Sequence, residues 1–230
     1  MRKNDLQISR FRKQAITWVV LPGVLIAGWL YPPVGFALLL CMIGAVGLSF
    51  FRGRAWCDWM CPRGAFFDIF FYRPHQSKPI PAWLRAKKLR YFMLGLIVVV
   101  LGGQLYFAWG DLYGMGMAFT RLLTTTTVIG IALALFAHPR GWCHICPMGT
   151  LASIFGKGKM PLFVNGSKCT ECGRCSSACP MGLTPNGDKE SGMLLDPDCI
   201  KCGSCTAVCA RKVPSFEELN QGMLVERKGA

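Results

Sequence analysis

The sequence predicts an α-helical membrane protein that ends in a small, cysteine-rich α+β domain. Three observations predict this class: long uncharged apolar blocks, basic residues beside those blocks, and regular cysteine motifs. Of the 230 residues, 52% are hydrophobic and 17% are charged, which excludes a disordered or collagen-like chain. The net charge of +14 resembles that of a nucleic-acid binder, but its position beside the apolar blocks fits membrane topology better. We therefore expect membrane lipid, and no nucleic acid, as a partner.

Four apolar blocks carry no charged residue. They occupy 15–31, 34–51, 91–109 and 122–137. A helix needs about 17–25 mostly apolar residues to cross a bilayer, and the short fourth block gains length from Met117 to Thr120 if Arg121 reaches the interface. No small-x-small cleavage site follows the first block, which we interpret as a retained helix. The sequence thus predicts four transmembrane helices.

Lys and Arg residues set the predicted orientation. The N-terminal tail has five, the 52–90 loop has nine and the segment after 137 has eleven, whereas the 32–33 turn has none and the 110–121 loop has one. By the positive-inside rule, both termini and the 52–90 loop lie in the cytoplasm. We expect a multi-pass protein of a bacterial or archaeal cytoplasmic membrane, with its cysteine-rich domain inside.

The C-terminal part contains one cysteine run twice, with corresponding cysteines 30 residues apart. Three cysteines at x2 spacing can wrap a loop around one corner of an iron–sulfur cubane, while the fourth lies too far along the chain and crosses to the other cluster. The sequence therefore predicts two [4Fe–4S] clusters. The ligands of cluster 1 would be Cys169, Cys172, Cys175 and Cys209, and those of cluster 2 would be Cys199, Cys202, Cys205 and Cys179.

Zinc and disulfides are the alternatives for these eight cysteines. Paired zinc sites usually have two ligands, a long spacer and two more ligands, which this spacing does not match. A cytoplasmic domain lies in a reducing compartment, which disfavours disulfides.

Each even-numbered helix is followed by a related cysteine hairpin. The first reads Arg54-x-Trp-Cys57-x3-Cys61-Pro-x-Gly64, and the second reads Arg140-x-Trp-Cys143-x2-Cys146-Pro-x-Gly149. The transmembrane part is thus a tandem repeat of two helix pairs, each ending in a Cys-Pro hairpin. Three interpretations of the hairpin cysteines stay open: a third metal or cluster site, a redox-active dithiol near a quinone, or buried reduced thiols.

The four apolar blocks, both Trp-Cys hairpins and the double cysteine run resemble the ferredoxin-type membrane subunits NapH and MauN. The membrane and cluster section of NosR is similar. The likeness covers roughly 15–210, and this chain departs from it in the x2 spacing between Cys143 and Cys146. The resemblance implies quinol oxidation in the membrane and electron transfer to a partner redox protein.

The resulting organisation has five parts. They are a cytoplasmic tail (1–14), a four-helix domain with its hairpins (15–155), a linker (156–168), a 2[4Fe–4S] ferredoxin-like domain (169–212) and a tail (213–230). We expect an electron-transfer subunit that oxidises menaquinol or ubiquinol and serves a terminal reductase. The alternative is a redox assembly, maturation or regulatory factor that uses the same clusters. The residues themselves fix neither the direction of electron flow nor an enzymatic activity of this chain alone.

Overall fold

The computed structural model describes residues 3–75 and 80–216, and these residues are mostly helical. The membrane part contains α1 (Lys3–Thr17), α2 (Val20–Leu30), α3 (Phe36–Arg52), α4 (Trp56–Trp59), α5 (Pro62–His75), α6 (Lys87–Phe107), α7 (Leu112–Phe136), α8 (Gly141–Ile145) and α9 (Pro147–Phe155). The C-terminal part contains β1 (Leu162–Val164), α10 (Arg174–Ser177), β2 (Met193–Leu194), α11 (Ser204–Val208) and β3 (Pro214–Ser215). Short 3-10 turns lie at Pro32–Gly35, Gly53–Ala55, Ala82–Arg85, Gly166–Lys168 and Pro185–Asp188.

Within residues 3–75 and 80–216, four helical segments are long and apolar enough to cross a membrane, as the sequence predicts. They span Gln7–Leu30, Pro32–Phe71, Lys87–Phe107 and Leu112–Phe136. The last begins ten residues before the predicted block because Asp111 caps it: the carboxylate accepts hydrogen bonds from the backbone N–H groups of Tyr113 and Gly114. The first includes α1 from Gln7 onward, so the stretch that the sequence assigns to an N-terminal tail is helical from Lys3.

The turn between α2 and α3 packs closely on α7. A Cβ added to Gly116 would lie 2.2 Å from the carbonyl oxygen of Pro32, and one added to Gly35 would lie 2.2 Å from that of Gly116. Only glycine permits this approach of two backbones, as at close helix crossings in membranes. The contact brings the α2–α3 turn and the start of α7 to the same end of the bundle.

The opposite end of the bundle holds both hairpins. There α5 and α8 enclose an apolar core with Phe67, Leu84 and Trp142 nearly or completely buried. Gly130 of α7 makes room for the ring of Phe67, since a Cβ there would lie 2.7 Å from it. This packing fixes α5, the helix after the first hairpin, against α7 of the second repeat.

The C-terminal part is an α+β domain, in agreement with the predicted class. Its three short strands pair antiparallel in the order β2–β1–β3, with Leu162 opposite Leu194 and Phe163 opposite Ser215. The central strand β1 lies in the stretch 156–168, so the predicted linker supplies part of this domain. Of the predicted tail, only the residues up to 216, including β3, lie among the described residues.

The two cysteine runs adopt the same backbone conformation. Gly173 and Gly203 have left-handed φ angles of 71° and 74° and precede α10 and α11. Such angles suit glycine, and they place the same turn directly before the short helix of each run. The internal sequence repeat is therefore also a structural repeat.

Candidate functional site

The cysteines predicted for cluster 1 line one cavity of about 250 Å³. They are Cys169, Cys172, Cys175 and Cys209. Cys209, from the second run, accepts a hydrogen bond at its Sγ atom from the backbone N–H of Val213 at 3.4 Å. Cys172 is exposed, so this cavity lies near the surface of the domain.

The other four ferredoxin cysteines line a second cavity, inside the core. This cavity measures about 20 Å³ and includes Cys179, Cys199, Cys202 and Cys205. Cys179 is the crossing residue here, and its Sγ atom accepts a hydrogen bond from the N–H of Leu183 at 3.4 Å. Leu162, Met181 and Ile200 pack around this set. Each cavity thus combines three cysteines of one run with the fourth of the other, as the spacing predicts.

Both sets fit an iron–sulfur cluster chemically. Backbone N–H groups aimed at sulfur stabilise thiolates, and burial raises the pKa of Cys202 to about 12 and that of Cys205 further. Such thiols stay protonated unless a metal binds them. Each set lines a cavity with four cysteine sulfurs, which is the ligand number of a [4Fe–4S] cluster.

The four hairpin cysteines line a third cavity, of about 140 Å³. They are Cys57, Cys61, Cys143 and Cys146. Most of the wall is apolar and comes from α2, α3 and α7, with residues such as Leu21, Leu38, Met42 and Leu123. The structure therefore brings together the two hairpins that are 86 residues apart in the sequence.

Each hairpin has an arginine whose side chain donates a hydrogen bond to the backbone of the other hairpin. Arg54 of the first donates from Nη2 to the carbonyl oxygen of Cys143 at 2.7 Å, and Arg140 of the second donates from Nη1 to that of Cys57 at 3.1 Å. The glycine of each motif leaves room for this: a Cβ on Gly149 would lie 2.6 Å from Arg54, and one on Gly64 would lie 3.0 Å from Arg140. The shared Arg and Gly positions of the two motifs thus serve one reciprocal contact.

The two hairpins differ in cysteine spacing by one residue, and the extra residue lies at the end of the short helix in the first hairpin. Met60 stands between the end of α4 and Cys61, whereas α8 runs to Ile145, directly before Cys146. In both hairpins the second cysteine is followed by a proline that begins the next helix, at Pro62 and Pro147. The x2 spacing therefore does not remove Cys146 from the shared cavity.

A buried ion network supports the first hairpin from α1. Arg140, fully buried, pairs with Asp68 at 2.5 Å and with Asp58 at 3.1 Å. Arg10 pairs with the same two carboxylates, at 2.8 Å to Asp58 and 2.6 Å to Asp68, and Gln14 donates to Asp68 at 3.0 Å. Helix α1 is thus part of the site, because Arg10 and Gln14 lie one turn apart on one face.

A second network joins the ferredoxin-like domain to the membrane part. Asp198 accepts hydrogen bonds from Arg54 at 2.7 Å and from Arg90 at 2.6 Å, and His144 Nδ1 lies 3.6 Å away. Burial opposes ionisation of Asp198, but the imidazole of His144 and the two guanidiniums outweigh it and hold the pKa of this carboxyl well below its usual range. Asp198 is therefore a carboxylate, and it directly precedes Cys199.

The hairpins also contact the core of the ferredoxin-like domain. Cys57 and Cys143 pack against the buried cluster that contains Cys202 and Cys205. Trp59 donates from Nε1 to the carbonyl oxygen of Lys201 at 3.2 Å. The hairpin cavity therefore neighbours the inner cysteine set, while the set with Cys172 faces outward.

Sequence reasoning missed the residues of both ion networks. These residues are Arg10, Gln14, Asp58, Asp68, Arg90 and Asp198. Asp58 follows Cys57 and Asp198 precedes Cys199, so adjacency to a cysteine motif was an available signal. Only four acidic residues lie before 169, and two of them form the network with Arg140.

Four membrane-length helices joined to an eight-cysteine α+β domain define a ferredoxin-type iron–sulfur protein of the electron-transport class. Comparison with known families agrees. A family model described as a 4Fe–4S binding domain matches residues 34–91 and 120–164, which include both hairpins. A second, described as a 4Fe–4S dicluster domain, matches residues 168–213.

The chain is a ferredoxin-type protein of the NapH and MauN type. It is 32% identical to the methylamine utilization ferredoxin-type protein MauN of Methylobacillus flagellatus, over 56% of this chain and 49% of that protein. It is 30% identical to the ferredoxin-type protein NapH of Escherichia coli, over 64% of this chain and 55% of that protein.

An uncharacterized protein of Methanocaldococcus jannaschii is 28% identical, over 78% of this chain and 76% of that protein. The matched part thus spans about half the length of the MauN and NapH relatives. No solved structure matches the chain.

Proposed function

We propose that this protein is a multi-pass electron-transfer subunit of the cytoplasmic membrane that oxidises menaquinol or ubiquinol and passes the electrons to a partner redox protein. One observation carries the proposal. The largely apolar cavity lined by α2, α3 and α7 has the four hairpin cysteines in its wall, and two of these cysteines pack against the ferredoxin core. A ligand that enters the cavity from the membrane would therefore lie close to the cysteine-rich domain.

The cavity has the character that a quinone headgroup needs. Its walls are apolar, with Leu21, Leu38 and Met42 among them, and Arg63 supplies a cationic donor near the cysteines. The Arg63 guanidinium lies over the Trp142 ring at 5.3 Å and donates to Thr126 at 3.0 Å, which fixes its position. A few placed polar groups in an apolar cleft are typical of cofactor sites. Arg63 would orient a quinone oxygen toward the hairpins.

Two sets of four cysteines would hold the cofactors. Bound [4Fe–4S] clusters would supply one-electron carriers, with potentials set by charge, hydrogen bonds and solvent exposure. The inner set lies beside the hairpins, and the outer set reaches the surface at Cys172. Exposed Lys168, Arg174 and Arg211 surround the outer cavity. We expect a partner redox protein or terminal reductase subunit to dock there through acidic groups.

The orientation follows from the basic residues. The end of the bundle with the hairpins and the ferredoxin-like domain carries nearly all Lys and Arg, while the α2–α3 turn has none. We propose that this end, both termini and the cysteine-rich domain face the cytoplasm.

The test is anaerobic EPR of the purified full-length protein before and after addition of a menaquinol analogue. We expect quinol to produce signals of reduced [4Fe–4S] clusters. Leu38→Trp, which fills the cavity, should slow this reduction at least tenfold. Leu40→Trp is the matched control on the same helix, because Leu40 is 71% exposed on the lipid-facing side. In the Leu40→Trp variant, quinol should reduce the clusters at the native rate.

Reduction by dithionite alone would overturn the quinol-oxidising role. The clusters would then lie too low in potential to accept electrons from quinol. That result favours the second role considered from the sequence, a redox maturation or regulatory factor. Equal effects of the two tryptophan variants would place the quinone site outside the cavity.

A further inference from the structure

We propose that Lys201 raises the reduction potential of the inner cluster, the one expected at the inner cysteine set, because its buried ammonium offsets the negative charge that reduction adds. Lys201 lies between two residues of that set, Cys199 and Cys202, in the sequence. The proposal deepens the proposed function and rests on it for the presence of two clusters. It does not depend on the quinone, because the experiment below measures potentials without quinol.

The two cysteine runs carry opposite charges at one shared position. Glu171 stands directly before Cys172 in the first run, and Lys201 stands directly before Cys202 in the second. Both residues have a left-handed φ, of 52° and 56°, which is uncommon for residues other than glycine. The two loops therefore have the same backbone conformation at this position. The outer and inner sets thus differ by an exchange of charge at matched points of matched loops.

The two side chains differ in how strongly solvent screens them. Lys201 is 9% exposed, whereas the side chain of Glu171 is 56% exposed. Glu171 also forms an ion pair with Lys189, while Lys201 forms none with the residues in ranges 3–75 and 80–216. An exposed, paired charge acts weakly on its surroundings, and a buried one is screened much less. Lys201 therefore acts more strongly on its cluster than Glu171 acts on the outer one.

Contacts with the first hairpin fix the position of Lys201. Its carbonyl oxygen accepts a hydrogen bond from Trp59 Nε1 at 3.2 Å. Its Cε atom packs against the backbone that precedes the hairpin, since a Cβ added to Gly53 would lie 3.4 Å from it. The side chain of Lys201 therefore lies where the ferredoxin-like domain meets the membrane part.

The surroundings of Lys201 leave its charge uncompensated. A cavity of about 10 Å³ beside Cys199 is lined by Lys201 together with Arg54, Lys159 and Asp196. Arg54 has its own carboxylate partner outside this cavity, and Lys159 is exposed. Asp196 forms no ion pair with Lys201. Lys201 is thus a buried cation beside the inner set that an added negative charge would stabilise.

Burial by itself opposes reduction of the inner cluster. Leu162, Met181 and Ile200, which pack around the inner set, are at most 1% exposed. Reduction adds one electron to a cluster that four thiolates already make anionic, and added charge is costly where water is excluded. The outer set includes the exposed Cys172, so water can stabilise the reduced outer cluster. Lys201 supplies to the inner cluster the stabilisation that water gives to the outer one.

The experiment is an EPR-monitored redox titration of anaerobically purified, full-length protein, with dithionite as the reductant. In Lys201→Gln, one midpoint potential should fall by an amount equivalent to about a tenfold change in equilibrium constant, which is about 59 mV for a one-electron couple. Lys201→Arg keeps the charge and should keep both potentials. Glu171→Gln is the matched control in the first run, and it should change either equilibrium constant by less than about threefold, because Glu171 is exposed.

Native protein provides a second test that needs no variant to fold. Raising the ionic strength from about 0.01 M to about 1 M shortens the Debye length from about 30 Å to about 3 Å. The outer potential should then fall, because the exposed Lys168, Arg174 and Arg211 around the outer cavity become screened. The inner potential should stay, because Lys201 is buried. The potential that salt leaves unchanged should be the one that Lys201→Gln lowers.

Three outcomes would overturn the role of Lys201. They are unchanged potentials in Lys201→Gln, an equal fall in Lys201→Arg, and a native protein whose two potentials move together with salt. Iron content is the folding control, and each variant should keep the native value of about eight irons per chain. If quinol reduces neither cluster while Lys201→Gln still lowers one potential, the proposed function is overturned and the role of Lys201 stands.

Discussion

Arg54 Nη1 lies 2.7 Å from Asp198 Oδ1, and this ion pair joins the first cysteine hairpin to the residue before Cys199. Arg54 is almost completely buried and also donates to the Cys143 carbonyl oxygen. A single guanidinium therefore contacts both hairpins and the ferredoxin-like domain. Since both partners are largely desolvated, removing one leaves a buried charge unpaired, which typically costs about 3–5 kcal/mol.

Neutralising Asp198 should weaken the attachment of the ferredoxin-like domain. In Asp198→Asn, Arg54 and Arg90 lose their shared carboxylate, and we expect trypsin to cleave between α9 and β1 at least tenfold faster than in the native protein. The measurement is limited proteolysis in detergent. Glu190→Gln is the control. Because Glu190 is exposed, this substitution should leave the rate of cleavage unchanged. Native protection in Asp198→Asn would show that apolar packing alone holds the domain.

Replacing Arg140 should destabilise the membrane part. Arg140→Gln leaves the Asp58 and Asp68 carboxylates with Arg10 as their remaining cationic partner among the described residues, and it removes the bond to the Cys57 carbonyl oxygen. We expect a loss of about 3–5 kcal/mol, seen as a lower Tm in fluorescence-detected size-exclusion chromatography. Arg121→Gln, at an exposed position, serves as control. If the two variants have the same Tm, the buried network contributes no net stability.

Adding one methyl group at Gly116 should separate α7 from the α2–α3 turn. The Cβ of Gly116→Ala would lie 2.2 Å from the Pro32 carbonyl oxygen, so the backbones must move apart. Overpacking of this kind costs about 1–3 kcal/mol, and Tm in detergent should fall accordingly. Gly95→Ala has nothing within 4 Å of its Cβ and should leave Tm unchanged or slightly raised.

Removing iron should unfold the ferredoxin-like domain without unfolding the helices. Cys202 and Cys205 belong to the small core of this domain. Loss of the iron that they would bind therefore removes the main constraint on the two cysteine-rich loops. After oxidative chelation, trypsin should degrade the part after 160, while far-UV circular dichroism keeps most of its helical signal. A protease-resistant domain after complete iron loss would contradict this expectation.

The orientation of the helices can be read with fusion reporters. A C-terminal green fluorescent protein should fluoresce, and alkaline phosphatase inserted at Gly110, between α6 and α7, should be active outside the cytoplasm. A phosphatase fused after 156 should be inactive. The opposite pattern would reverse the topology and put the ferredoxin-like domain outside.

Local sequence patterns determined the elements of this protein. Uncharged blocks fixed four membrane-length helices because length and hydropathy are properties of a continuous segment. The cysteine runs predicted which cysteines share a cavity, because x2 spacing acts within one loop. Apolarity alone does not locate the start of α7 at Leu112, because that start depends on the N-cap residue Asp111.

Tertiary structure alone decided how these elements meet. Arg54 and Asp198 are 144 residues apart, Arg140 and Cys57 are 83 apart, and Arg10 and Asp58 are 48 apart. No periodicity encodes such pairs, because their energies depend on burial and on which helices face each other. The sequence therefore determined which cysteines exist and how each run is spaced. The fold decided that the arginine of each hairpin bonds to the other hairpin beside one cavity. It also decided that the ferredoxin-like domain contacts the hairpins through Asp198, through a hydrogen bond from Trp59 and through packing of the hairpin cysteines.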